Sequence, residues 1–387
     1  MRGFRLSRPV AIACLAGAGW TCRPHAAEYS VAPTMGLSMD YASNRYLQPQ
    51  AVPGDGAFVN LDAQLRRTTD TLVLNAQPSF SLQRYTNHSA INSDNGALNL
   101  SATSLHEFST YGLTAGYSDL STLTTELEST GVVQGNTHQR QANAGASWQY
   151  LQSERRQLTM QATYTDVRYF GQQAQFLPGY RSPGASIAER FTLSALTTFT
   201  ITASSSELRS SGAAGNTVDG ELDLGLNHSF SDRIQAVASV GRSERRSDGV
   251  LTGGYVGEAQ LTRNDERNQW RLSYQRSVVP TGFGNLVQRD AGSLSLSRPL
   301  SERLSGDVSI LSTRDRSVFF FGLLQEGRRY DTAEGGLNWI TSETSTIGLR
   351  IGYDRAAVSS LIPVPQARGW RAAANVHWTP RPRSISR

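Results

Sequence analysis

The sequence predicts an all-β fold, a transmembrane antiparallel up-and-down β-barrel of about 18 strands, with roughly 16 to 20 as the range. Three observations predict it. Apolar and polar residues alternate with period 2, the connections alternate between short and long, and aromatic residues gather near the ends of the alternating segments. A run of 18 apolar residues, which a spanning helix needs, is absent from the sequence.

The alternation is clearest in residues 368–378, where Trp370, Val376 and Trp378 share one face and Arg371 shares the other with small and polar residues. Such segments have one apolar face, which favours a strand between lipid and a polar interior. The same pattern predicts strands over residues 34–46, 56–67, 71–85, 97–104, 109–117, 140–151, 157–169, 188–195, 199–208, 219–230, 233–241, 252–263, 269–276, 287–298, 304–312, 329–340, 345–354 and 368–378.

The connections between these segments indicate how the barrel is oriented. Short ones carry a repeated Ser-(Asp/Glu)-Arg sequence, at 153–155, 231–233 and 301–303, and alternate with long segments such as 118–137 and 314–327. Short turns at one end and long loops at the other are typical of outer-membrane barrels with periplasmic termini. Both long segments are candidates to constrict a channel. The apolar run inside 314–327 leaves open whether that segment extends its strands or folds inward.

Aromatic residues near the strand ends predict two rings at the lipid interfaces, because amphipathic aromatic side chains favour that depth. A soluble sandwich would bury them at mid-strand. The predicted ring residues are Trp148, Trp270, Trp339 and Trp378 near short turns, and Tyr85, Tyr117, Tyr169 and Tyr353 near long loops.

Residues 1–27 resemble a secretory signal, with Arg2, Arg5 and Arg8 before an apolar core and Ala26-Ala27 as a cleavage region. The segment holds four arginines and no acid, so its removal takes away most of the formal net charge of +5. The exported chain would then be nearly neutral and would lack the electrostatic basis for binding nucleic acid. The sequence thus divides into a signal peptide (1–27), a barrel (28–378) and a basic C-terminal tail (379–387).

The chain resembles the outer-membrane β-barrel porins that accompany bacterial exopolysaccharide and exosortase-type export systems. The likeness lies in residues 36–45, GLSMDYASNR, and in the strand pair from Ala57 to Tyr85, and it continues as hairpin repeats across the rest of the chain. The resemblance implies a pore or an export-associated barrel, with outer-membrane lipids, polysaccharide and export-system components as partners. The nine residues after Trp378 depart from barrels that end on an aromatic residue.

A barrel of this size encloses a lumen too wide for side chains alone to fill, so it holds water or a plug. The inward positions of several predicted strands are rich in hydroxyl and amide groups, which suit neutral hydrated solutes such as sugars, or merely keep the wall wet. Both signs of charge occur, which argues against strong ion selectivity. The charged lumen candidates are Asp40, Asp62, Arg66, Glu258, Arg271, Asp307, Glu334, Arg350, Asp354 and Arg371. Arg271, Arg350 and Arg371 form a basic ladder on one interpretation and a chance grouping on another.

Catalysis finds little support in the sequence. The histidines after residue 27 are scattered among hairpins, no Gly-x-Ser-x-Gly elbow is present, and no His-x-x-x-His pair or cysteine outside the signal offers a metal site. We therefore predict no cofactor and no enzyme activity. The sequence favours an outer-membrane conduit for polysaccharide or another neutral hydrophilic solute. A plugged structural or partner-binding barrel, and a lipid-modifying barrel enzyme, are the alternatives.

Overall fold

A computed structural model of the chain describes residues 27–86, 92–122, 137–171, 174, 177–211, 216–247, 249–280, 286–317, 327–359 and 366–386. These residues form one antiparallel sheet that closes on itself. Its strands are β1 Glu28–Ala42, β2 Gly54–Thr68, β3 Leu72–Tyr85, β4 Ser93–Leu105, β5 Ser109–Ser121, β6 His138–Ser153, β7 Arg156–Phe170, β8 Tyr180–Ser194, β9 Thr197–Ser210, β10 Asn216–Ser231, β11 Ile234–Ser247, β12 Val250–Asn264, β13 Gln269–Pro280, β14 Leu286–Pro299, β15 Leu304–Ser317, β16 Gly327–Ser342, β17 Ser345–Ser359, β18 Ala367–Trp378 and β19 Arg383–Ser386.

The barrel closes along β1. This strand pairs with β2 over its whole length and with β18 on its other side, where Met35 faces Trp378 and Ala42 faces Arg371. The short strand β19 continues beyond β18 and pairs Glu28 with Ser386. The predicted all-β, 18-strand up-and-down barrel is therefore confirmed.

Some boundaries differ from the prediction. Strand β1 ends at Ala42, so residues 43–46, expected to continue the strand, belong to the next connection. Strand β8 begins at Tyr180, eight residues before its predicted start, because the sheet continues past the apolar band into polar residues. The C-terminal segment, expected as a tail outside the barrel, contributes β19 to the closure.

The connections differ in length between the two ends of the barrel, with one exception, the two residues between β11 and β12 at the end where the other connections are longer. Every second connection, starting from that between β2 and β3, has two to four residues, and these join strands at the end that also carries Glu28 and Ser386. The turn between β12 and β13 shows how they are held. Asp265 accepts hydrogen bonds from the backbone amides of Arg267 and Asn268, and these lower the pKa of its carboxyl.

The other connections lie at the opposite end, which we call the long-connection end. The two longest segments of the prediction fall there, but residues 123–136 and 318–326 lie outside the described residues, as does the predicted signal up to residue 26. Among the residues that the structure describes, no helix is long and apolar enough to cross a membrane.

The two faces of the sheet differ in character. On one face, Met39, Leu113 and Val240 leave more than half of each side chain exposed. On the other face, polar side chains such as Asn95 and Asp354 are buried. Side chains splay apart on the convex outside of a closed sheet and converge on its concave inside. The apolar face is therefore the outer one, and the polar face lines the interior.

Candidate functional site

The ten charged residues predicted for the lumen all occupy inward positions of their strands. Cross-strand pairing fixes this, because each has the parity opposite to that of the apolar outer residues on its own strand. They are Asp40 in β1, Asp62 and Arg66 in β2, Glu258 in β12, Arg271 in β13, Asp307 in β15, Glu334 in β16, Arg350 and Asp354 in β17, and Arg371 in β18.

One side of the interior carries no charge. Across the described strands β3 to β7, every inward position holds a neutral residue, mostly a hydroxyl or an amide. Some of these groups bond to each other, as when Asn75 donates to Ser101 Oγ at 3.3 Å and Asn95 donates to Ser81 Oγ at 3.3 Å. We call this surface the neutral wall. It offers many donors and acceptors and no charge that would hold an ion.

Beyond β1 and β2, the next strands around the sheet, β16 to β18, carry a compact ion-pair network. Arg350 donates to Glu334 Oε1 at 2.6 Å, and Arg371 lies 2.7 Å from Asp354 Oδ2 and 3.4 Å from Glu334 Oε2. Tyr330, which sequence analysis did not select, donates its hydroxyl to Asp354 at 3.1 Å. Opposite charges thus neutralise each other within the wall.

The three-arginine ladder is not formed. Arg350 and Arg371 meet at Glu334, whereas Arg271 lies on β13, four strands from β17, opposite Thr262 and Ser295. The hypothesis of a basic ladder was wrong because the three arginines share a face without being neighbours in the sheet. Residues on the same face of a barrel wall are close together only when their strands are neighbours in the sheet.

A stretch of acids on β10 was missed by the sequence analysis. Asp219, Glu221 and Asp223 alternate along the strand, so all three point inward. Buried Arg245 on β11 faces Asp219 at 3.2 Å, and Gly241 leaves room for Asp223, since a Cβ there would collide with its carboxylate. The period-2 rule that located the other lumen residues would have found these acids too.

These acids contribute to a recess in the wall. The recess measures about 500 Å³ and is lined by Arg190, Glu221, Asp223 and Glu258 among hydroxyl-bearing neighbours. Arg190 is the sole charged residue at an inward position of the described strands β3 to β9. The boundary between the neutral wall and the charged side of the interior therefore runs near this recess.

The connection between β1 and β2 folds into the mouth of the barrel. Arg45 donates to both carboxylate oxygens of Asp40, at 2.6 and 2.8 Å, and to the carbonyl of Gly54 at 3.1 Å. Its guanidinium lies 4.9 Å from the centre of the Tyr85 ring. These contacts fix a segment, residues 43–53, that the sequence analysis had not considered as a constriction.

Leu47 anchors the same segment. Its side chain is buried together with Tyr330, Ala356 and Ala367, all at inward positions of β16 to β18. Its backbone has a φ of 46°, a left-handed conformation that is costly for a leucine and is held here by packing. The segment therefore spans from the wall of β1 and β2 to that of β16 to β18.

The predicted aromatic rings need one correction. Trp148, Trp270, Trp339, Trp378, Tyr117 and Tyr353 lie on the outer face, where an interfacial role remains a prediction. Tyr85 and Tyr169 lie on the inner face, where Tyr85 contacts Arg45 and Phe58 and Tyr169 accepts from Gln139. They were selected because they lie near strand ends, but each alternates in step with the inward residues of its own strand, β3 or β7.

No group of three or more His, Cys, Asp and Glu side chains that could hold a metal ion occurs in the described part of the chain. The described histidines lie apart, His106 in the turn after β4 and His138, His228 and His377 on β6, β10 and β18. His138 bonds to Asp119, and His228 bonds to Thr197.

Fold and interior together define a class of architecture, a closed antiparallel β-barrel with an apolar outer face and a polar interior. The same fold occurs in outer-membrane porins of Pseudomonas and Acinetobacter. Pseudomonas aeruginosa OccK2 (OpdF), in complex with glucuronate, matches with a TM-score of 0.53 at 10% identity over 92% of this chain and 98% of its own.

Two further structures match over similar lengths. Pseudomonas aeruginosa OpdK with vanillate has a TM-score of 0.52 at 12% identity, over 92% of this chain and 99% of its own. Acinetobacter baumannii OccAB2 has a TM-score of 0.51 at 11% identity, over 91% of this chain and 98% of its own. No protein-family model matches the sequence, and no curated protein matches it. The likeness is therefore one of fold.

Proposed function

We propose that the chain is an outer-membrane pore that passes small hydrophilic solutes, with uncharged sugars as the preferred class. The observation that carries this proposal is the neutral wall, five adjacent strands without an inward charge. A sugar can exchange its bound water for hydroxyl and amide groups along such a wall at little cost. Its N-terminal 27 residues would direct export to the membrane.

The paired charges on the other side support the same class of solute. Because Glu334, Arg350, Asp354 and Arg371 satisfy one another, they offer no strong field to a passing ion. They still present rigid donors and acceptors toward the lumen. Two structural neighbours were solved with small organic acids, vanillate and glucuronate. A sugar acid is thus the natural test of how far the preference extends to charged solutes.

Polysaccharide is the larger member of the proposed solute class, and export-system components would be its protein partners. The inward-folded segment 43–53 favours short oligomers, because Arg45 and Leu47 fix it across part of the mouth. We propose passive passage without a catalytic step.

The test is single-channel recording of the refolded chain in planar bilayers. We expect stable openings, brief blockage by maltohexaose added to one side, and a weaker effect of glucuronate at equal concentration. A channel current that is blocked by glucuronate but not by maltohexaose would refute the preference for neutral solutes. Silence from protein that shows heat-modifiable migration on gels would refute the pore itself and favour a plugged barrel.

A further inference from the structure

The outer face carries a row of arginines at the long-connection end. Arg140, Arg168, Arg181 and Arg209 occupy outward positions of the consecutive strands β6, β7, β8 and β9. Arg140 lies directly opposite Arg168, and Arg181 directly opposite Arg209. Roughly half of each side chain or more is exposed. We call these four residues the arginine row.

Like charges directly opposite each other on adjacent strands are destabilising unless something compensates them. Three acids do so in part. Asp119 pairs with Arg140 at 2.7 Å, Asp166 pairs with Arg168 at 2.9 Å and with Arg181 at 3.1 Å, and Glu207 pairs with Arg209 at 2.6 Å. Four guanidinium groups share three carboxylates, so some of their N–H donors are left without a carboxylate in the described structure, on side chains that are about half exposed or more.

An apolar recess lies on these four strands and the neighbouring β5, nearer the middle of the barrel. It measures about 900 Å³, and Ala146, Ala162, Ala185 and Ala203 form its floor. Larger side chains stand at its edges, among them Leu113, Trp148, Met160 and Ile187. Each floor alanine lies four to six residues along its strand from that strand's arginine, which corresponds to about 13 to 20 Å.

Arginine row and recess together match the two ends of a phosphorylated lipid. Guanidinium forks bind phosphate oxygens in pairs, and a groove floored by alanine accommodates an acyl chain beside the convex wall. We propose that this face of β6 to β9 binds a phosphate-bearing lipid of the surrounding leaflet. The phosphates would lie on the arginine row and an acyl chain in the recess. The proposal assumes the membrane location given above and is independent of the solute that the pore passes.

The chain contains a matched control. On β17 and β18, nine strands from β8 and β9 and so on the other side of the barrel, Arg355 lies directly opposite Arg368 on the outer face. The recess of β5 to β9 does not extend to these strands. Arg355→Gln/Arg368→Gln therefore removes the same charge from the outer face, toward the same end of the barrel, without touching the proposed site.

The experiment is native mass spectrometry of the full chain in detergent, titrated with diphosphoryl lipid A. An arginine near an anionic lipid surface contributes a factor of about five to binding, so Arg168→Gln/Arg181→Gln should weaken binding by about 25-fold. The control variant should stay within about twofold. Ala185→Trp, which fills the recess, should weaken binding by about tenfold, the loss of roughly two buried methylene groups. Asp166→Asn should strengthen it, because it leaves two arginines without their shared acid.

Several results would overturn the inference. Equal weakening of lipid A binding by Arg168→Gln/Arg181→Gln and by the control double variant would indicate unspecific surface charge. Displacement of lipid A by inorganic phosphate would indicate a site for a free anion. An unchanged affinity of Ala185→Trp would overturn the role of the recess. Each variant is first checked for heat-modifiable migration and channel conductance. If Arg168→Gln/Arg181→Gln and Ala185→Trp conduct normally but lose affinity for lipid A as expected, the inference is supported. If the wild-type barrel binds lipid A but does not conduct, only the proposed pore is refuted.

Discussion

Replacing Asp40 by Asn should release the segment that narrows the mouth of the barrel. Arg45 and Asp40 leave only 12% and 18% of their side chains exposed, and two hydrogen bonds of 2.6 and 2.8 Å join them. Removing one partner of a buried ion pair costs about 3 to 5 kcal/mol. Asn keeps one acceptor, and the contacts of Arg45 with Tyr85 and Gly54 remain. We therefore expect the free energy that holds residues 43–53 against the barrel wall to fall by about 2 kcal/mol.

A loss of about 2 kcal/mol lowers the ratio of docked to undocked segment by roughly 30-fold. In single-channel recordings the wild type should hold one conductance level, and Asp40→Asn should switch between that level and a larger one. Leu47→Ala provides an independent route, because truncating a buried leucine costs about 2 to 5 kcal/mol and needs no change of charge. Both variants should reach the same larger level.

Asp62→Asn is the matched control, since it removes another inward carboxylate, from the neighbouring strand β2, without a contact to residues 43–53 in the described structure. The reasoning would be refuted if Asp62→Asn produced the same switching. It would also fail if Asp40→Asn and Leu47→Ala both kept the single conductance level of the wild type.

Four further predictions follow, three on the charged side of the interior and one on a turn. Arg371→Ala should leave buried Asp354 with the Tyr330 hydroxyl alone, which costs about 2 to 3 kcal/mol and shifts the reversal potential toward cations. Arg350→Ala, whose pair is more exposed, should shift the reversal potential with little loss of stability, and equal destabilisation by the two would contradict the network. Glu221→Gln/Asp223→Asn should move the reversal potential toward anions, and an unchanged value would place these acids outside the ion path. The pKa of Asp265 is lower in the folded chain than in the unfolded chain. Its carboxylate therefore stabilises the fold above the ordinary carboxyl pKa, and this stabilisation is lost as the pH falls through the pKa of the folded chain. Asp265→Asn should therefore make unfolding less sensitive to acid, as measured by heat-modifiable gel migration at a series of pH values. An unchanged dependence on pH would show that this turn does not contribute to acid sensitivity.

The sequence allowed the strands to be located because a barrel wall has a simple rule. Every residue faces either lipid or lumen, so period 2 survives across a whole strand, as it does from Trp370 to Trp378. The same rule placed the charged candidates on the inner face. It failed for Tyr85 and Tyr169 only because height was weighed above parity.

Other features depend on contacts that no local pattern encodes. Leu47 has no strand period to follow, and its burial depends on Tyr330 and Ala356, which lie far along the chain. Arg271 faces inward like Arg350 and Arg371, but its place around the barrel follows only from the strand order. Strand β19 pairs with Glu28 through residues that resemble a polar tail in sequence.

The position of the closing strand has a consequence for how the protein is made. Because β1 pairs with β18 and β19, one edge of β1 has no partner strand until β18 and β19 have been synthesised. Contacts between such distant residues form slowly, and an unpaired strand edge beside an apolar face aggregates. Until synthesis ends, Met35, Leu37 and Met39 stand on an open edge. The ring can therefore close only once β18 and β19 have been made.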